Sequence, residues 1–102
     1  MRPPTEFTRI VDRKRYSVKN ATLLAHDAYW DGHNFERSGR NCFLYRTAGG
    51  RYFTVNLTRW EGEQDTLEPV NQDQAIDLYE NALTEHEVTY SEAFPDVKVE
   101  DA

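Results

Sequence analysis

Residues 40–60 read RNCFLYRTAGGRYFTVNLTRW, two aromatic-rich runs on either side of Ala48-Gly49-Gly50. Tyr52 to Thr58 alternates, with Phe53, Val55 and Leu57 on one face and Tyr52, Thr54, Asn56 and Thr58 on the other, the period of a half-buried antiparallel strand. Cys42 to Thr47 alternates less cleanly, so the length of the turn decides which of its side chains reach the core. A two-residue Gly49-Gly50 turn pairs Arg46 with Phe53, Leu44 with Val55 and Cys42 with Leu57. A four-residue loop from Thr47 to Gly50 keeps that face and pairs Leu44 with Phe53 and Cys42 with Val55. A three-residue loop reverses the first strand and brings Phe43 and Tyr45 opposite Val55 and Phe53. The even-length turns instead leave Phe43 and Tyr45 beside Tyr52 and Thr54, an aromatic patch that is either exposed or covered by another element.

Outward from this hairpin, the chain reads as α+β. Residues 1–8, with Pro3-Pro4, suggest an extended arm; Ile10 and Val11 suggest a short strand or a loop leading into one, and Val18-Lys19-Asn20 a turn. ATLLAHDAYW, residues 21–30, reads either as a helix clustering Leu23, Leu24, Asp27 and Ala28, with a polar Asp in its stripe, or, in preference, as a strand with Leu23, Ala25 and Tyr29 on one face and Leu24, His26 and Trp30 on the other, closed by Asp31-Gly32. A polar loop anchored by Phe35 then leads to the hairpin. Beyond Trp60, EGEQDT is an acidic loop and Leu67-Glu68-Pro69-Val70 a short edge strand. Asn71 as N-cap, Gln74 completing a capping box and the Val70/Ala75 staple start a helix. Ala75, Ile76, Tyr79, Ala82 and Leu83 extend it as an amphipathic stripe over residues 72–84. Val88, Tyr90 and Phe94 are docking residues. The expected organisation is an arm over 1–8, one domain over 9–95 built as an antiparallel meander of three to five strands with the helix on one face, and an acidic tail over 96–102.

The 102 residues suit a single core, and thirteen aromatics supply large buried areas. One cysteine forbids an internal disulfide and fits a reduced thiol in the cytoplasm. No segment offers the roughly 20 apolar residues that span a bilayer, nor does the N-terminus read as a secretory leader. The formal charge of −6 conceals an asymmetry: residues 1–60 carry eleven Lys/Arg against five Asp/Glu, +6, and residues 61–102 one against thirteen, −12. If the halves pack together their fields cancel; if they lie on opposite faces, the molecule offers one surface to anions and another to cations.

No catalytic or cofactor signature appears. His26, Asp27, Asp31 and His33 are metal-ligand types without the fixed spacing of a zinc motif, and no metal or cofactor is expected. Cys42 could meet His26 as a base across adjacent strands, but no Gly-rich oxyanion turn follows the cysteine, so no nucleophile is expected. Arg13, Lys14, Arg15 and Lys19, with Arg40, Arg46, Arg51 and Arg59 around the hairpin, sit near Tyr45, Tyr52 and Trp60. Arginine with aromatics both stacks on bases and marks protein hot spots. Asp73, Asp77 and Glu80 form the acidic counterpart on the helix.

RYSVKNATLLAHD, LYRTAGGRYF, EPVNQDQAIDLYENAL and EAFPD resemble a loose group of small bacterial and mobile-element proteins. Those begin Lys-Tyr-Asp-Thr-x-Thr-Ala, continue Leu-Tyr-Arg-Thr-x-x-Gly-x-x-Phe, and end in an acidic helix and a Glu-x-Phe motif. Roughly residues 15–96 are covered; Arg15, Ser17 and Val18 replace the first motif's Lys, Asp and Thr, while Ala21 keeps its alanine. The resemblance implies a compact sheet-plus-helix domain of phages, plasmids or their hosts, with no catalytic residues to carry over. The expected function is a non-enzymatic cytoplasmic module that binds a protein, in one version an inhibitor of a host or defence complex. Nucleic-acid binding by the basic half is the alternative, and a homodimer through an open edge or the aromatic face is compatible with both.

Overall fold

The computed structural model describes residues 2–27 and 40–102. Expectations resting on Tyr29, Trp30, Asp31, His33 and Phe35 lie outside those residues. The strands are β1 (Thr8–Val11), β2 (Lys14–Ser17), β3 (Ala21–His26), β4 (Arg40–Thr47), β5 (Tyr52–Thr58), β6 (Thr66–Val70) and β7 (Glu85–His86). Strands β3 to β7 form one antiparallel sheet in the order β6-β5-β4-β3-β7, and β1 and β2 a separate two-stranded ribbon. The helices are α1 (Gln72–Asp77), which runs on into a π turn at Leu78–Ala82, and α2 (Tyr90–Ala93).

The β4–β5 register takes the odd option. Phe43 pairs with Val55, Tyr45 with Phe53 and Arg46 with Tyr52, leaving Ala48-Gly49-Gly50 as a three-residue loop. The Thr47 N–H donates to the Arg51 carbonyl at 2.8 Å, and the Arg51 N–H to Thr47 Oγ1 at 3.0 Å. Gly50 has φ +85°, the left-handed conformation that closes three-residue hairpins and that glycine adopts without steric cost. One turn residue thereby sends Phe43, Tyr45, Phe53, Val55 and Leu57 to one face of the sheet and Cys42, Leu44 and Tyr52 to the other.

Both faces are buried. On the first, Tyr16 and Val18, with Phe7 and Val11, close over the aromatic side chains. Tyr45 stacks on Phe53 with ring centroids 5.1 Å apart, and Tyr16 meets Phe53 edge-on at 5.8 Å. On the second, Ala75, Tyr79, Leu83, Ala93 and Phe94 from the C-terminal segment cover Leu24, Ala25, Leu44 and Tyr52. The result is three layers: ribbon, sheet, helices.

Several local readings change. The β1–β2 ribbon turns through Asp12 and Arg13, both left-handed at φ 51° and 65°, in place of the Asn-Gly or Asp-Gly that normally advertises such a turn. The expected arm ends early, because Phe7 packs on the ribbon-side core and Thr8 already pairs with Ser17. A bulge between Leu23 and Ala25 breaks the alternation of β3. Leu24 and Ala25 both reach the helical side, while Leu23 and His26 face the ribbon side, where His26 stacks on Phe43 at 5.5 Å.

The helix begins as read. Asn71 accepts the Gln74 N–H at 2.7 Å and the Gln74 side chain accepts the Asn71 N–H at 2.9 Å. It does not hold α geometry to residue 84. The Leu83 N–H reaches back five residues to the Leu78 carbonyl at 2.8 Å, and this extra residue in the turn leaves Ala82 exposed while Leu83 stays buried. A second capping box, Thr89 with Glu92, starts α2, which drives Phe94 into the core at 0% exposure. The tail is anchored at its start, since Val97 packs on the helix-side core and its N–H donates to the Phe94 carbonyl. At the outer edge, Pro69 has no N–H to offer and the Leu67 carbonyl accepts from Arg9 Nη1 at 2.8 Å. Among the described residues no helix is long and apolar enough to cross a membrane.

Candidate functional site: two charged layers

The segments that cover the sheet sort by charge. Residues 2–20, which supply the ribbon and its flanks, carry six Lys/Arg against two Asp/Glu, a formal +4; residues 71–102, which supply the helical layer, carry one Lys against nine Asp/Glu, a formal −8. They lie against opposite faces of one sheet. They approach each other at the glycine-turn end, where Tyr16 shares a recess with Asn71, Gln72 and Asp96. Among the described residues the ion pairs are Arg9–Glu68 at 3.0 Å, His26–Glu87 at 3.1 Å and Arg40–Glu63. None joins a base of residues 2–20 to an acid of residues 71–102, so each layer presents its own field to solvent.

The acidic layer is built by the capping box. Starting the helix at Asn71 buries Ala75 and Tyr79, which leaves Asp73, Asp77 and Glu80 exposed at i, i+4 and i+7 on the outer side. Asp77 accepts from Asn81 Nδ2 at 2.8 Å, and Glu80 from the Tyr90 hydroxyl at 2.8 Å, a bond that raises the Tyr90 phenol above its ordinary pKa. Glu92 accepts both the N–H and the hydroxyl of Thr89, and these bonds hold its carboxyl below the usual range. These contacts order the carboxylates.

The arginines and aromatics of the β4–β5 hairpin do not make one patch. Tyr45 and Tyr52 are each 5% exposed, and the Tyr52 hydroxyl donates to the Ala93 carbonyl at 3.1 Å, so Tyr52 ties α2 to the sheet instead of facing a partner. Arg46 lies beside the glycine turn with Nε buried and, among the described residues, without a hydrogen-bond partner. Arg51 is exposed at the same end. Arg40 is six strand residues from Arg46, about 20 Å away at ~3.3 Å per residue. There it forms a two-point pair with Glu63, which Thr58 Oγ1 also bonds, and its guanidinium lies 5.4 Å from the Trp60 ring centre. Trp60, 52% exposed, and the exposed Arg59 belong to this end.

A recess of about 430 Å³ opens beside that pair, lined in part by Asp27, Asn41, Cys42 and Thr58. Asp27 accepts the Cys42 N–H at 2.8 Å. Burial first, and the Asp27 charge second, push the Cys42 thiol up to about 12, which favours its protonated form at neutral pH. His26 is buried with Nε2 3.1 Å from Glu87 Oε2. Among the described residues no three His, Cys, Asp or Glu side chains gather as a metal would need; Asp31 and His33 fall outside them.

The hydrophobic alternation of Tyr52–Thr58 and the charge asymmetry were the signals for this arrangement. Of the ribbon, the sequence shows the first strand at Ile10 and Val11 but not its partner, because the Asp12-Arg13 turn between them carries no glycine. No protein-family model, curated protein or solved structure matches the chain.

Proposed function

We propose that the protein is a non-enzymatic, cytoplasmic protein-binding module whose acidic helical layer docks on a basic surface of its partner. What supports this reading is the exposed row Asp73, Asp77 and Glu80, backed by a segment of formal charge −8 that, among the described residues, no ion pair ties to a base of residues 2–20. Dispersed carboxylates in internal ion pairs contribute little to binding; carboxylates segregated on one face raise association rates and select a complementary groove. A groove of that sign ordinarily receives nucleic acid, so the module acts as a competitive mimic, in keeping with an inhibitor of a host or defence complex. The test is capture from the native host at graded salt with the wild type and with D73N/D77N/E80Q. A specific partner held at low salt, released by raised salt and lost with the triple variant is expected; a partner retained equally by the variant removes this reading.

A further inference from the structure

We propose that the β1–β2 ribbon, on the face opposite the acidic layer, grips the phosphate backbone of double-stranded DNA. Cross-strand pairing places Arg9, Val11, Lys14 and Tyr16 on the sheet side and Thr8, Ile10, Arg15 and Ser17 on the outer side. Arg9 is occupied with Leu67 and Glu68. Arg13 at the tip, Lys14, Arg15 and Lys19 in the following turn are exposed; the acids near them are Asp12 and Glu6, with Asp65 and Glu68 at the adjoining sheet edge. Ile10, 60% exposed, stands opposite Arg15 on the outer face, an apolar side chain the fold leaves uncovered. A two-stranded ribbon fits the ~12 Å major groove, with bases meeting phosphates at its rims and small apolar side chains meeting thymine methyls and sugars.

The tip argues independently. Asp12 and Arg13 hold left-handed φ values that glycine would adopt without penalty, and such strain concentrates where function overrides stability. Arg13 therefore occupies a position where the fold alone favours glycine.

The charge layout dictates an unusual salt response. At ~0.01 M salt the ~30 Å Debye length takes in the whole molecule and DNA meets the whole charge of −6; at ~0.1 M, where it is ~10 Å, the cations of the ribbon nearest the phosphates dominate. Affinity therefore peaks between those limits. Above the peak it falls with a log–log slope of about −3, near −0.9 for each of three or four phosphates.

The experiment is fluorescence anisotropy of the full chain with a labelled random-sequence DNA duplex across ionic strength, with polyglutamate as a carboxylate polyanion control. The expected result is that peak, no binding of polyglutamate, and several-fold weaker duplex binding by R13G although R13G melts at a higher temperature than wild type. R15Q/K19Q lowers the slope by about two. D73N/D77N/E80Q binds duplex as well or better at low salt, so this proposal and the acidic-face reading fail separately. Absence of duplex binding at every ionic strength, equal binding of polyglutamate, or unchanged binding by both ribbon variants would overturn it. So would sedimentation showing that R15Q/K19Q instead abolishes a salt-sensitive self-association, which would make a second copy's acidic layer the occupant.

Discussion

The two faces of the sheet are built by opposite means. On the ribbon side the sheet supplies the bulk, with Phe43, Tyr45, Phe53, Val55 and Leu57, and the cover adds little beyond Tyr16, Val18 and Phe7. On the helical side the sheet supplies Leu24, Ala25, Leu44 and Tyr52, and the cover brings the other large rings, Tyr79 and Phe94, with Tyr90 packed beside them. A sheet that carries its own aromatics needs only a thin lid, and that lid is free to be basic and strained. A sheet face of smaller residues needs a layer that brings its own core, which explains why the C-terminal segment is long, capped twice and tied to Tyr52.

The comparison breaks most severely at Phe53, fully buried between Tyr45 and Tyr16. Phe53→Ala is expected to cost about 3–5 kcal/mol, with ribbon and sheet lost in a single urea transition. Ribbon signals persisting after the sheet has melted would show that the lid folds without the aromatics beneath it. Tyr52→Phe keeps the ring and removes the bond to the Ala93 carbonyl, so a loss of about 1 kcal/mol is expected. Amide exchange should place that loss in α2 and not in the ribbon; uniform loss of protection would mean that the two faces are coupled.

The smallest effect concerns α2 alone. The Glu92 carboxyl lies below its ordinary 4.5 in the folded chain because it accepts from Thr89. Its contribution is complete above the unfolded value and disappears as pH falls through the lowered folded value. An NMR titration should therefore show the α2 amides loosening only as pH falls below the ordinary carboxylate range, while ribbon amides stay unchanged. In Glu92→Gln that step should vanish; its persistence would assign it to another carboxylate.

The sequence announced the antiparallel hairpin, the edge strand and the capped helix start because each rests on local chemistry: alternation, proline without a donor, a side chain satisfying an orphan N–H. It left the hairpin register open because Ala-Gly-Gly permits loops of two to four residues, and only the fit of Phe43 and Tyr45 against Phe53 and Val55 selects three. The β3 faces were misread because a bulge has no local signature in ATLLAH. The helix was read too long because a π turn is set by how Tyr79 and Leu83 seat together, not by propensity. For the candidate site, the charge totals were legible and their placement was not, since placement follows from which terminal segment covers which face. Tyr52 reads as a candidate contact because nothing local to the hairpin tells whether its face is exposed or, as here, covered by α2.

The Arg9 side chain on the Leu67 carbonyl, together with Pro69, has a consequence for solubility. A sheet edge of this length is a template on which further chains can stack, rung by rung, into fibrils. Here one outward rung already holds a guanidinium and another lacks a proton to share. The chain thus spends one of its N-terminal cations as a stopper against its own polymerisation.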